Sequence, residues 1–223
     1  MLDIQRRLPY DPASSITEQA RSSIIQSLDN LRPAVESALE SVYLDCLILH
    51  TPYDTLEDTL EAWAVFEECV PHTIRSLGIS NVSHTELKLI HQRVNIKPSV
   101  VQNAFHPKNK YDVEVRRFCT EMGMTYQGFW ALTANPELLR SDFVTNLAGA
   151  ACVDKEVVIY GLCEHMKNVT ILNGTKNVET MKLDLEQGNN LRAWAKDEKN
   201  SKAWSSAFSQ FVAISGAAGD SSD

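Results

Sequence analysis

Five short, unbroken apolar runs, at 43–49, 76–79, 99–103, 124–129 and 169–172, recur along this chain with helix-start signals between them. The runs are continuous rather than alternating, the pattern of strands covered on both faces. Ser15-Ile-Thr-Glu18 and Ser83-His-Thr-Glu86 match the capping box, in which the two side chains satisfy each other's orphan amides. Thr55-Leu-Glu-Asp58 is a looser version. The helices that follow are expected at about 16–30, 56–69 and 84–92, with others at about 112–122, 142–150, 154–166, 178–187 and 191–213. Gly123 supplies a left-handed stop for the fourth. Such alternation predicts a parallel sheet with helical crossovers. Two architectures satisfy it, an open doubly wound sheet and a closed barrel. The chain carries neither GxGxxG nor GxxxxGK[ST], which speaks against dinucleotide-fingerprint and P-loop sheets.

Composition narrows the function classes. The 223 residues are 43% hydrophobic and 22% charged, a globular balance. Net charge is −8 with no Lys/Arg stripe, so a nucleic-acid partner is not expected. No apolar run approaches the roughly 18 residues of a membrane helix. MLDIQRRLPYDP has no apolar signal core after its basic residues. Cys46, Cys69, Cys119, Cys152 and Cys163 form no CxxC pair, and an odd count without a signal reads as reduced thiols in a cytoplasmic protein. In that setting the sequons at Asn81, Asn168 and Asn173 stay unglycosylated. No metal centre is expected.

In a barrel, chemistry collects where strands end. The runs end in His50, in Ser80-Asn81, in Gln102-Asn103 running on to His106-Pro107, in Gln127-Gly-Phe-Trp130, and in Asn173-Gly-Thr-Lys176. The bodies are apolar; the ends hold amides, hydroxyls, aromatics and a histidine. With YLDCLILHTP, IRSLGISN, KPSVVQNAFHP, VEVRRFCTEMGM, YQGFWALTANPELL and VTILNGTKNVETMKLDL in that order, the chain resembles the C-terminal two-thirds of an aldo-keto reductase, especially the fungal members. The matching pieces run from about Pro9 to Leu185. The resemblance implies a (β/α)8 barrel, incomplete here with about five of eight strands and the first three βα units missing. It also implies NADP(H), or else NAD(H), as cofactor and a small aldehyde or ketone as substrate, in a fungal specialised-metabolite setting. The expected divisions are an N-terminal loop over 1–14, the partial barrel over 15–188, a C-terminal helix over 189–214 and a disordered tail over 215–223.

The resemblance assigns roles residue by residue. His50 orients the substrate carbonyl, where negative charge grows as hydride arrives. Taken alone, a packed core histidine is the plainer reading; the motif and the strand-end place reverse that. Ser80, Asn81 and Gln102 match the positions that hold the nicotinamide carboxamide, which both donates and accepts. Without the resemblance, Ser80-Asn81 reads equally well as a turn. Phe129 aligns with the aromatic that stacks on the nicotinamide, and Trp130 beside it lines the substrate pocket; core packing is the alternative for both. Gly174, Thr175 and Lys176 match the loop that meets the adenosine 2′-phosphate, although Thr180 stands where an Arg is common. A solvated turn is an equal reading for Lys176.

The family's proton donor is a tyrosine tuned by a lysine and an aspartate, all on strands before the helix that here begins near Ser15. By the usual size of a barrel, roughly 90–100 residues are absent. Tyr53 and Tyr10 lie near the expected face, but neither has a neighbouring lysine to lower a phenol pKa from about 10. Five strands do not close such a barrel, and the apolar edge at 43–49 invites pairing with another chain. Self-association or poor solubility is therefore expected of this chain alone. Three readings stand: a reductase whose N-terminal part lies elsewhere, a catalytically impaired homologue that binds or assembles, and, with the resemblance set aside, an open-sheet α/β binding module.

Overall fold

The computed structural model describes residue 11 and residues 13–32 and 42–216. These form two compact units, one of 1–79 with 85–98 and one of 80–84 with 99–223. The expected loop over 1–14 and the tail beyond 216 fall almost wholly outside the described residues.

The first unit contains α1 (Ile16–Asn30), β1 (Leu47–Leu49), α2 (Leu56–Glu67), most of β2 (Leu77–Ser80) and most of α3 (His84–Arg93). Ser15 starts α1 by accepting the Glu18 amide, and Thr55 starts α2 by accepting that of Asp58, as the capping signals predict. β1 and β2 pair in parallel, Leu47 against Leu77 and Leu49 against Ile79. The apolar run at 43–49 yields only three ladder residues. Ahead of them Leu44 bridges Ile74 singly, and the Ser76 hydroxyl donates to the Asp45 carbonyl at 2.6 Å. Trp63, Ile74, Leu77, Ile79 and Leu87 are fully buried. The Trp63 indole donates to the Ile96 carbonyl (3.0 Å), and the Glu67 carboxylate accepts the backbone amides of Asn95 and Ile96. The loop after α3 is thus pinned without secondary structure of its own.

The second unit contains β3 (Val100–Ala104), a 3₁₀ segment (Pro107–Asp112), α4 (Val113–Met122), β4 (Thr125–Phe129), α5 (Pro136–Arg140), α6 (Asp142–Ala151), α7 (Lys155–Glu164), β5 (Val169–Ile171), α8 (Val178–Lys196) and α9 (Ser201–Ser215). β3 pairs β4 and β4 pairs β5, all in parallel. The fold is therefore parallel α/β, with five of the eight strand–helix units of a (β/α)8 barrel. β2 is buried throughout, as a continuous apolar run predicts, but β3 and β4 alternate. Val101, Asn103, Tyr126 and Gly128 are buried, while Gln102 and Gln127 share the half-buried face. Glutamine side chains need polar partners, and that face supplies them in each other.

The C-terminal helices break elsewhere than expected. Gly188-Asn-Asn190 reads as a stop, yet α8 runs through it because Leu191 is buried against Gly161 of α7. A Cβ on Gly161 would lie 2.7 Å from Leu191 Cδ2, so the small residue makes room for the contact. The break falls at Asp197, whose side chain accepts the Lys199 amide. α5 and the 3₁₀ segment escape sequence reading because they are too short to show a period.

Candidate active site

In the first unit, β1 carries its chain straight into His50. His50 is exposed. It lines a recess of about 180 Å³ together with Gln19, Ile24, Leu49, Tyr53 and Phe66. Tyr53 is half-buried, and its amide donates to Thr59 Oγ1 (2.9 Å). Among the described residues that line this recess there is no lysine or arginine. Tyr10 lies outside the described residues.

In the second unit, Ser80, Asn81 and Gln102 form one hydrogen-bonded group. The Gln102 carbonyl accepts both the Ser80 hydroxyl (2.6 Å) and the Asn81 amide (3.1 Å). Asn81 adopts the left-handed region at φ +55°, where Asn is among the few side chains tolerated, and its Nδ2 donates to Ser80 Oγ (3.1 Å). Gln102 Nε2 donates to Gln127 Oε1 (3.2 Å), its register partner on β4. The turn after β2 is therefore built from the residues that the motif singles out.

A second layer was not singled out by sequence reading. Asn103 is buried, and its Oδ1 accepts the Val82 amide (3.1 Å). Its Nδ2 donates to the Val82 carbonyl (2.8 Å) and to Asp112 Oδ2 (2.6 Å). Asn103 thus clamps the backbone just beyond Ser80-Asn81 as a strand neighbour would. Burial raises the Asp112 pKa above the ordinary carboxylate range, opposed by hydrogen bonding from Asn103 and by the charge of Arg116. Lys110, Tyr111 and Asp112 are consecutive left-handed residues (φ +54°, +54° and +57°). Arg116 holds them, donating from Nε to the Tyr111 carbonyl (2.8 Å) and from Nη2 to the Ser215 carbonyl at the end of α9 (2.7 Å). An asparagine inside an apolar run was the available signal for this layer, and it resembles a strand end.

At the end of β4, Phe129 is half-buried, while Trp130 is 58% exposed at φ +61°. Their rings meet edge to face at 5.2 Å. His106 lies over Trp130 with ring centroids 6.5 Å apart. The buried Asn135 Nδ2 donates to the carbonyls of Phe105, Ala131 and Trp130, which holds this turn.

After β5, Thr175 donates its amide to Asn173 Oδ1 (2.9 Å) and accepts that of Asn177 on Oγ1 (3.2 Å). Asn177 then caps α8, its Oδ1 accepting the amides of Glu179 and Thr180. Phe129, Trp130, Gly174 and Thr175 line one cleft of about 610 Å³. Lys176 is exposed and is not among the residues that line it. Among the described residues no helix is long and apolar enough to cross a membrane, and no group of three or more His, Cys, Asp or Glu is placed to hold a metal.

Comparison with known proteins accords with this geometry. The Aldo/keto reductase family model matches residues 10–142. A glyoxal reductase of Bacillus subtilis is 30% identical over 128 residues, 55% of this chain and 45% of that protein; the chain spans less than half of that relative. Among solved structures, an aldo/keto reductase from Brucella melitensis superposes with a TM-score of 0.65 at 15% identity, covering 86% of this chain and 68% of that one. An aldose reductase from Giardia lamblia gives 0.62 at 14% identity, covering 87% and 68%. At such identities the two structures speak for the fold.

Proposed function

The chain belongs to the aldo/keto reductase family, and on that premise we propose that it forms the cofactor- and carbonyl-binding part of an NAD(P)H-dependent reductase of aldehydes or ketones. The observation that carries this reading is the hydrogen-bonded group of Ser80 and Asn81, at the end of β2, with Gln102 in the middle of β3. Amides and a hydroxyl suit a carboxamide, which needs both donors and acceptors. Gln127 aims the Gln102 amide. Phe129 offers a flat face for a nicotinamide ring, and Gly174, Thr175 and Lys176 form the loop assigned to the adenosine end. The bound reduced nicotinamide supplies the hydride. His50, exposed at its strand end, donates to the substrate oxygen and stabilises the charge that grows there.

The proton donor, with its lysine and aspartate, comes in this reading from strands that the family carries ahead of β1. Resemblance to fungal members supports a specialised-metabolite carbonyl as substrate, and five cysteines without a CxxC pair support a cytoplasmic location. The intact mass of the native polypeptide is the first test. A mass well above 25.0 kDa supports the reductase. Titration of that polypeptide with NADH and NADPH, and turnover with a panel of aldehydes and ketones, complete the test. His50→Ala should lower kcat/KM by about a hundredfold with nucleotide affinity unchanged. Binding of neither nucleotide sinks the reading.

One observation favours the second reading, an impaired homologue with a binding or assembly role. Among the described strands β1 pairs with β2 alone, and its residues Leu47, Ile48 and Leu49 are apolar and half-buried. A native mass matching 223 residues would bring this reading forward.

A further inference from the structure

The charge lining the 610 Å³ cleft is of one sign. Its ionisable walls include the carboxylates Glu156 and Asp184, and no Lys or Arg is among its lining residues. The cations nearby in sequence are otherwise placed. Lys176 stands outside the cleft, Lys182 pairs with Glu179 (3.0 Å), and Arg192 pairs with Glu164 (3.0 Å).

Four of the backbone amides that would welcome a phosphate are also engaged. The amide of Thr175 goes to Asn173, that of Asn177 to Thr175, and those of Glu179 and Thr180 to Asn177. A helix N-terminus capped by its own side chain has little left for an anion. Asp184, in contrast, is a half-buried acceptor. A carboxylate offers about four lone-pair sites, and Asn173 Nδ2 uses one of them (2.5 Å). The negative field is visible in a neighbour. Burial first, then Asp184 and Glu156, push the Tyr160 phenol up to about 12.

We propose that this cleft selects NAD(H) over NADP(H), with Asp184 accepting the adenosine ribose hydroxyls where a 2′-phosphate would be repelled. The inference rests on the dinucleotide reading above and narrows it. A phosphomonoester carries roughly −1.5 to −2 charges at neutral pH. Beside two carboxylates, with no Lys or Arg among the described lining residues, it meets repulsion. A ribose diol instead donates hydrogen bonds to a charged acceptor, the stronger class of such bonds. Acidic side chains read the ribose in the same way in doubly wound dinucleotide folds.

Fluorescence titration of the full-length protein with NADH and with NADPH tests the proposal without recourse to turnover. NADH should bind at least tenfold more tightly, and the gap should narrow in high salt as the repulsion is screened. Asp184→Asn should weaken NADH and strengthen NADPH. Thr180→Arg, which leaves the carboxylates in place, should strengthen NADPH alone. NADPH binding as tightly as NADH, or more tightly, overturns the proposal and leaves the dinucleotide reading standing. Binding of neither nucleotide overturns both.

Discussion

Arg116 shows how much one buried side chain can hold. It is 1% exposed and donates to two carbonyls and to the Met166 sulfur. Its fork serves the left-handed turn at 110–112 and the end of α9 together, which a lysine's point charge does not reproduce. Arg116→Met fills similar space but leaves those carbonyls without their donor. We expect a loss of about 2–4 kcal/mol, read from the urea midpoint at constant m-value. An unchanged midpoint would mean that the fork contributes nothing net. Asp112 carries a pH signature. Its folded pKa is raised by burial, so the folded state takes up the proton more readily than the unfolded chain. Stability therefore falls as pH rises from the ordinary carboxylate range through the folded pKa. Relative to Asp112→Asn, the parent protein should gain stability on going from neutral pH to about pH 4. Paired denaturation curves at the two pH values check the sign, and a relative gain at neutral pH would contradict it.

Helix ends differ in what they ask of a residue. Gly123 closes α4 at φ +71° with open space where a Cβ would stand. Gly216 closes α9 at φ +69°, but a Cβ there would come 2.6 Å from Val113 Cγ2. Gly123→Ala therefore meets backbone strain alone, roughly 1 kcal/mol. Gly216→Ala adds a clash against α4. Thermal melts should show the larger drop for Gly216→Ala; equal drops would mean that α9 yields at its end. The sequence foresaw the Gly123 stop because a glycine just past the last residue of a helical run is a local signal. It misplaced the break between α8 and α9, because Leu191 burying against Gly161 is a contact between helices distant in sequence.

At the scale of the molecule, two compact units share a parallel α/β construction, and β1, first in the order of the described strands, is built of the apolar residues Leu47, Ile48 and Leu49. A net charge of −8 opposes association, while an open apolar edge favours it. We expect the edge to win for the 223-residue chain, so that sedimentation shows species heavier than 25.0 kDa. Ile48→Lys, on β1, should shift them toward the monomer. A parent chain that sediments as a monomer and unfolds cooperatively would refute the expectation.

The sequence by itself determined the class of fold and the order of its elements. Capping residues, apolar runs and the αL stop are local, and each acts within a few residues of itself. It also marked the end of β2, since Ser80 and Asn81 are polar residues where an apolar run stops, but it set Gln102 at a strand end where the structure has it inside β3. Tertiary structure alone decided how those residues are held. The Asn103 clamp on Val82, the Arg116 fork and the acid-lined cleft join groups far apart in the chain. Only folding brings them within hydrogen-bonding and electrostatic range, so no local pattern announces them.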